Sequence, residues 1–124
     1  MQTWEYFTEK ELADTRTGEC RMDPDFMVKL VKLRDLLGKP MKITSGYRSK
    51  ETNDAVGGAE NSPHMYGKAV DVYIQGADAL RLIELALQVG FVGIGVSQKG
   101  QSRFIHIDTI DNSPNQPRPT IWSY

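Results

Sequence analysis

Cysteine is almost missing from this chain. Among 124 residues there is one, Cys20. A single thiol closes no intramolecular disulfide, so no disulfide framework and no oxidising compartment are implied. Cys20 sits in Thr17-Gly18-Glu19-Cys20-Arg21, where no periodic element would position a nucleophile, so thiol catalysis is not expected. An excess of one charge is also lacking. The formal net charge is −1, which gives no electrostatic case for nucleic acid or for an anionic membrane. No apolar run approaches the roughly 20 residues that cross a bilayer, so no membrane insertion is expected. Met1 to Phe7 lack a basic segment followed by an apolar core and do not read as a secretory signal. A soluble product made in the cytoplasm is expected, and a target outside would need another route of delivery. There are no repeats and no low-complexity tracts.

What is present is enough for one core. The apolar share is 40%, and a chain of this size buries roughly two-thirds of its unfolded surface. A single domain over residues 1–124 is expected, acting as a monomer. Thr8 with Glu11 three positions later predicts a capped short helix over 8–14. Asp23-Pro24-Asp25 is a helix start, and Phe26, Leu30, Leu33 and Leu37 recur at helical spacing until Gly38 and Pro40 end it. Met41 to Thr44 alternates as a half-exposed strand, and Ser49 caps a short helix to about Val56. Residues 57–63 read as loop and 69–74 as a buried strand. Residues 77–89 form a helix whose broad apolar face, Leu80, Ile83 and Leu87 with Leu82, Leu85, Ala86 and Val89, implies packing on a sheet. Residues 91–96 read as a strand in which Gly93 and Gly95 mark a bend or a close backbone approach. A turn over 97–102 leads into a strand over 103–109. Residues 111–119 are irregular, and 120–124 form a last edge strand. Helices before and between a small, mostly antiparallel sheet make an α+β architecture.

Histidine is scarce as well, and its two copies are the informative ones. His64 ends a polar loop. Seven positions on, across a turn that Gly67 can close with positive φ, Asp71 interrupts the apolar run Ala69-Val70-Asp71-Val72-Tyr73-Ile74. A carboxylate there is costly to bury without a partner. His106 lies in the other strand, Arg103-Phe104-Ile105-His106-Ile107-Asp108-Thr109. A histidine in a strand is more often a hydrogen-bonded core or rim residue. If the two strands are neighbours, however, His64, Asp71 and His106 converge, and two imidazoles with one carboxylate form a catalytic zinc ligand set. Strand periodicity puts Phe104, His106 and Asp108 on one face and Ile105 and Ile107 on the other.

Taken in order, Ser45-Gly46-Tyr47-Arg48-Ser49, Asn53, Gly57-Gly58-Ala59, Ser62-Pro63-His64-Met65-Tyr66-Gly67-Lys68-Ala69-Val70-Asp71 and Phe104-Ile105-His106-Ile107-Asp108 resemble the D-Ala-D-Ala metallopeptidase family. That family of peptidoglycan-cutting zinc enzymes belongs to the lysostaphin, D-Ala-D-Ala peptidase and hedgehog group. The resemblance covers about residues 40–124. It implies the group's fold, with helices packed on one face of the sheet. It also implies Zn2+ as cofactor and a peptidoglycan stem peptide as substrate, cut next to a D-amino acid. Arg48 resembles the family arginine, whose planar fork suits a substrate carboxylate or an oxyanion. Ser45 and Tyr47 would orient substrate or only cap the turn.

Hydrolysis also needs a proton acceptor near the metal-bound water. Asp108 is the candidate by proximity, with Glu60 and Asp111 as the next choices. Relatives place an acid or a second histidine upstream of the late ligand, where this chain has Arg103 and Phe104. That departure leaves room for a catalytically inactive zinc- or wall-binding module. Carboxypeptidase and L-Ala-D-Glu endopeptidase both remain open, and a phage or prophage endolysin is the expected setting.

Overall fold

Capping chemistry starts each of the first helices. The computed structural model describes residues 3–124, so Met1 and Gln2 of the segment read as no secretory signal lie outside the described residues. Thr8 and Glu11 each accept the other's backbone N–H, starting α1 (Glu9–Leu12). This helix is shorter than expected, because the backbone extends at Ala13 and Asp14 folds back to accept Arg16 and Thr17 N–H. In α2 (Pro24–Leu37), the Asp23 carboxylate accepts Phe26 N–H, Pro24 occupies the first turn, and Gly38 closes the end. Phe26, Met27, Leu30 and Leu33 are its buried stripe.

The remaining elements are β1 (Lys42–Ser45), α3 (Lys50–Ala55), a 3-10 turn (Pro63–Tyr66), β2 (Ala69–Tyr73), α4 (Gly76–Val89), β3 (Gly93–Ser97), β4 (Phe104–Asp108) and β5 (Thr120–Ser123). The sheet runs β1-β2-β4-β3-β5. Its pairings are antiparallel except β3 with β5, which is parallel. The result is an α+β fold on a mixed, mostly antiparallel sheet.

Three expectations change. The stretch before Met65 is not plain loop: Ser62 accepts His64 N–H and Pro63 sits in the first turn of the 3-10 element. The third strand begins at Gly93, because Phe91 N–H is still held by Ala86 O at the end of α4. Helix α4 turns a narrower face inward than its composition suggested. Ala79, Leu82, Leu85 and Ala86 are buried, while Leu80 and Leu87 are 72% and 56% exposed. Its inner side meets α2 and β4, and two surfaces at an angle use a stripe rather than the whole apolar arc.

Cross-strand register builds the two faces. Val70 pairs with Ile107 and Ile107 with Ile94, and Val72 pairs with Ile105, giving the apolar face that joins Phe26, Leu30, Leu82 and Phe91 in the core. One residue along, the other face carries a row across all five strands: Ser45, Asp71, His106, Gly95 and Trp122. Because side chains alternate along a strand, the register that buries the isoleucines also sets Asp71 beside His106.

Candidate metal centre and its cleft

Asp71 and His106 are direct cross-strand partners, and Asp71 Oδ1 lies 3.1 Å from His106 Nδ1. His64 reaches the same oxygen from the 3-10 turn, with Nε2 at 3.3 Å. The ligand atoms of these three residues all lie within 4.8 Å of one another. Gly67, at φ 67°, makes the turn that returns the chain from His64 into β2.

The backbone fixes how His64 presents itself. Its Nδ1 lies 2.8 Å from Gly46 O, and a carbonyl only accepts, so Nδ1 carries the proton and Nε2 offers a lone pair. The same segments are tied a second time by Arg48 N–H to His64 O at 3.2 Å. Tyr47 N–H in turn donates to Leu12 O at 2.8 Å, anchoring the segment to α1.

Burial holds the His64 ring below the ordinary imidazole range, so it is neutral. The neutral Nε2 therefore faces a carboxylate oxygen, acceptor against acceptor, an arrangement that a shared cation resolves. Burial alone would push the Asp71 carboxyl up, but the hydrogen bond from His106 outweighs it and holds the group well below the usual carboxylate range. Burial opposes charge on His106 too, yet its bonds to Asp108 and Asp71 prevail and raise it. Two imidazole nitrogens and an ionised carboxylate converging on one point are a donor set that fits a divalent transition metal.

Behind His106 lies Asp108. His106 Nε2 stands 2.7 Å from Asp108 Oδ2, on the opposite side of the ring from the nitrogen that faces Asp71. Asp108 is fully buried, and the Arg118 fork grips it through Nε to Oδ1 at 3.0 Å and Nη2 to Oδ2 at 2.9 Å. Burial pushes the Asp108 carboxyl up, but His106 and Arg118 bring it below its ordinary value.

Arg48 is held on three sides. Nε donates to Ser45 Oγ at 3.2 Å, Nη1 to Asn53 Oδ1 at 3.1 Å, and Nη2 stands 3.8 Å from Asp71 Oδ2. Asn53 is itself buried and locked by Nδ2 to Ala59 O at 3.0 Å. The arginine is thus aimed at the metal centre and is not paired with Glu51 or Asp54. Ser45 touches Arg48. Tyr47 is not brought to the cleft: it is 8% exposed within the hydrophobic core.

A cleft of ≈ 440 Å³ opens over the centre, lined by Arg48, Glu60, Ser62, His64, His106, Arg118, Trp122 and Tyr124 among others. Glu60 is the acid in that lining; Asp111 lines a neighbouring cavity of ≈ 820 Å³ that shares Glu60, Asn115 and Gln116 with it. The sequence reading missed Arg118, Trp122 and Tyr124. A usable signal existed, since a carboxylate buried in a strand calls for a cation, and Arg118 is the arginine of the segment that follows Asp108. Trp122 of β5 and Tyr124 just past its end both line the cleft.

A sheet-borne His–Asp–His centre at the floor of a cleft defines a candidate metallohydrolase site. Comparison narrows it. The family model described as Peptidase M15 matches residues 5–108, and the chain belongs to that family. It is 37% identical over 104 residues to the peptidoglycan L,D-endopeptidase MepK of Escherichia coli K12, covering 77% of this chain and 56% of the relative. It is 33% identical over 107 residues to the probable peptidoglycan L,D-endopeptidase MepK of Haemophilus influenzae, covering 79% and 56%. It is also 37% identical over 83 residues to the zinc D-Ala-D-Ala carboxypeptidase of Streptomyces albus G, covering 65% and 32%. The chain thus spans about half the length of the MepK relatives and a third of the carboxypeptidase. No helix of the described residues is long and apolar enough to cross a membrane.

Proposed function

We propose that this chain is a zinc-dependent peptidase that hydrolyses a bond next to a D-amino acid in peptidoglycan stem peptides. The observation that carries the reading is the convergence of His64, Asp71 and His106 under a cleft into which Arg48 is aimed. Support comes from relatives named as peptidoglycan endopeptidases and as a zinc carboxypeptidase. A binding module without hydrolysis is not favoured, because those names describe peptidases. The wider coverage of the endopeptidases favours L,D cleavage over release of a terminal D-Ala, in wall turnover or in phage-type lysis.

His64 Nε2, Asp71 and His106 Nδ1 would hold the zinc. When bound, zinc polarises a scissile carbonyl and lowers the pKa of a bound water toward about 7. The residues of the chain do the rest. Arg48, fixed by Ser45 and Asn53, presents a rigid cation to a substrate carboxylate or to a developing oxyanion. Glu60 takes the proton at the cleft rim, the next choice after Asp108. Asp108 is already committed to His106 and Arg118, which suits holding the ring rather than accepting a proton from water.

The test is digestion of purified muropeptides by zinc-loaded protein, with product masses assigned. An L-Ala-D-Glu cut supports the endopeptidase reading, and loss of a terminal D-Ala supports the carboxypeptidase. Intact muropeptides in the presence of stoichiometric zinc would overturn both.

A further inference from the structure

Past β4 the chain crosses back over the site face through residues 109–119, an irregular strap with one short bridge, Ser113 to Gln116. The strap delivers Arg118. Three of its nitrogens are engaged: Nε and Nη2 on the two Asp108 oxygens, and Nη1 on Pro117 O at 2.8 Å. Its backbone N–H donates to Asn112 Oδ1 at 2.9 Å. The guanidinium carbon stands 5.1 Å from the centroid of the Trp122 ring, and that ring lies 5.0 Å from the His106 ring. Arg118 therefore sits in a frame built from β4, β5 and the strap, and its side chain is 8% exposed.

A planar fork on a carboxylate fixes the plane and rotation of that carboxylate as well as its charge. Asp108 so fixed offers Oδ2 to His106 Nε2 along one line, 2.7 Å away. The imidazole then has Nε2 as its donor side and Nδ1 as the side facing Asp71 and His64. Trp122 packs against the same ring and limits its swing. We infer that Arg118 is a positioning residue for the metal centre: acting through Asp108, it sets the orientation and ring proton of His106, so that metal affinity depends on the guanidinium fork behind the ligand. This rests on the zinc reading of the site and extends it to a segment that contributes no metal ligand.

Zinc affinity is read by competition with a chromogenic chelator, and the His106 ring N–H is read by nitrogen-edited NMR of the zinc-loaded protein. Wild-type chain is expected to bind one zinc and to show a slowly exchanging Nε2–H on His106. Arg118→Met should weaken zinc about 10- to 100-fold, the scale of losing an outer-shell partner, and should broaden or lose that N–H. Arg118→Lys, which keeps a cation but not the fork, should recover part of both. Asn112→Ala removes the acceptor of the Arg118 backbone N–H but leaves both bonds of the fork to Asp108, and it should leave zinc affinity within about twofold. In an Asp108→Asn background, Arg118→Met should add little, because its route to His106 is already cut.

Several outcomes overturn the inference. They are wild-type affinity and an intact N–H in Arg118→Met, an equal loss in Asn112→Ala, or a full extra loss in the double variant. Failure of both Arg118 variants to fold would also overturn it, since the clamp would then serve the fold alone. A wild-type chain that takes up no zinc would defeat the zinc reading itself, an outcome distinct from these.

Discussion

Gly93 lies directly beneath the carboxylate of Asp108. A β-carbon on Gly93 would stand 2.2 Å from Asp108 Oδ1 and 2.3 Å from Oδ2. Two residues on, a β-carbon on Gly95 would meet Trp122 Nε1 at 2.8 Å and the Tyr124 hydroxyl at 2.9 Å. The two glycines of β3 are the space in which the groups behind His106 are stacked. Gly93→Ala should therefore be the more damaging change, because the clamped Asp108 cannot move aside. A loss of about 1–3 kcal/mol in urea unfolding is expected, the usual range for overpacking. Gly95→Ala should cost less, since the side chains it meets belong to an edge strand. Equal losses for the two would mean that the clamp on Asp108 yields.

A second carboxylate outside the cleft secures the Arg48 segment. Asp14 is buried and accepts N–H from Arg16, Thr17 and Ser49 and the hydroxyl of Thr52. Burial raises its carboxyl, but these four bonds prevail and hold it well below the ordinary range. Asp14→Ala should destabilise by at least about 2 kcal/mol, since hydrogen bonds to a buried charge are lost together. The sign of the pH effect follows from the lowered folded value. The stabilisation is fully present above the unfolded pKa of about 3.9 and fades as pH falls below about 4 toward the lower folded value. Denaturant midpoints of the two proteins should differ by a constant amount from pH 6 to 8 and converge in acid. A gap that stayed constant down to pH 3 would contradict this.

The ligand set makes a stoichiometric prediction. His64→Ala and His106→Ala should each abolish tight zinc binding, because two protein ligands rarely hold a catalytic zinc. Metal analysis after gel filtration checks this. Unchanged zinc content in both variants would exclude these histidines.

What could be read from the sequence was the part written in local signals. The Thr8–Glu11 box, the Asp23-Pro24 start, the Ser49 cap and the alternation around His106 each state their structure within a few residues, and each is found. The meeting of His64 with Asp71 was legible because one turn joins them. The contacts of Trp122 were not, because they depend on a parallel pairing of β5 with β3 that has no period, and Arg118 on its irregular strap left only the hint of a buried carboxylate that calls for a cation. The two roles left open for Tyr47 could not be separated for a related reason: the Leu12 carbonyl pins its N–H and its ring enters the core, while its neighbour Arg48 lines the cleft. Which side of a short irregular segment faces inward is decided by such distant partners.

Arg48 separates charge from geometry. Arg48→Lys keeps the cation but loses the bidentate fork and at least one of the bonds to Ser45 and Asn53. Turnover should fall about 10²-fold, the scale of losing one preorganised donor, with zinc content and unfolding midpoint near wild type. Full activity in the variant would reduce Arg48 to a cation that merely neutralises Asp71.

The identity of the proton acceptor lies between two carboxylates, of which the sequence ranked Asp108 ahead of Glu60. Asp108 shares a strand face with His106, which recommended it as the base. In the fold, however, its two oxygens already take three donors, from His106 Nε2 and from Arg118 Nε and Nη2. Glu60 lies in the cleft lining and is exposed. If Asp108 holds the ring and Glu60 handles the proton, the two isosteric variants should fail in opposite ways. Asp108→Asn should weaken zinc about 10- to 100-fold, and turnover at saturating zinc should return to within about tenfold of wild type. Glu60→Gln should bind zinc normally and lose about 10²- to 10⁴-fold in turnover, because a general base has been removed without disturbing the centre. Zinc titration and saturating-zinc kinetics on the two variants decide the matter. The reverse pattern, normal zinc in a dead Asp108→Asn and near-normal turnover in Glu60→Gln, would return the base role to Asp108 and require its carboxylate to leave Arg118 during the reaction.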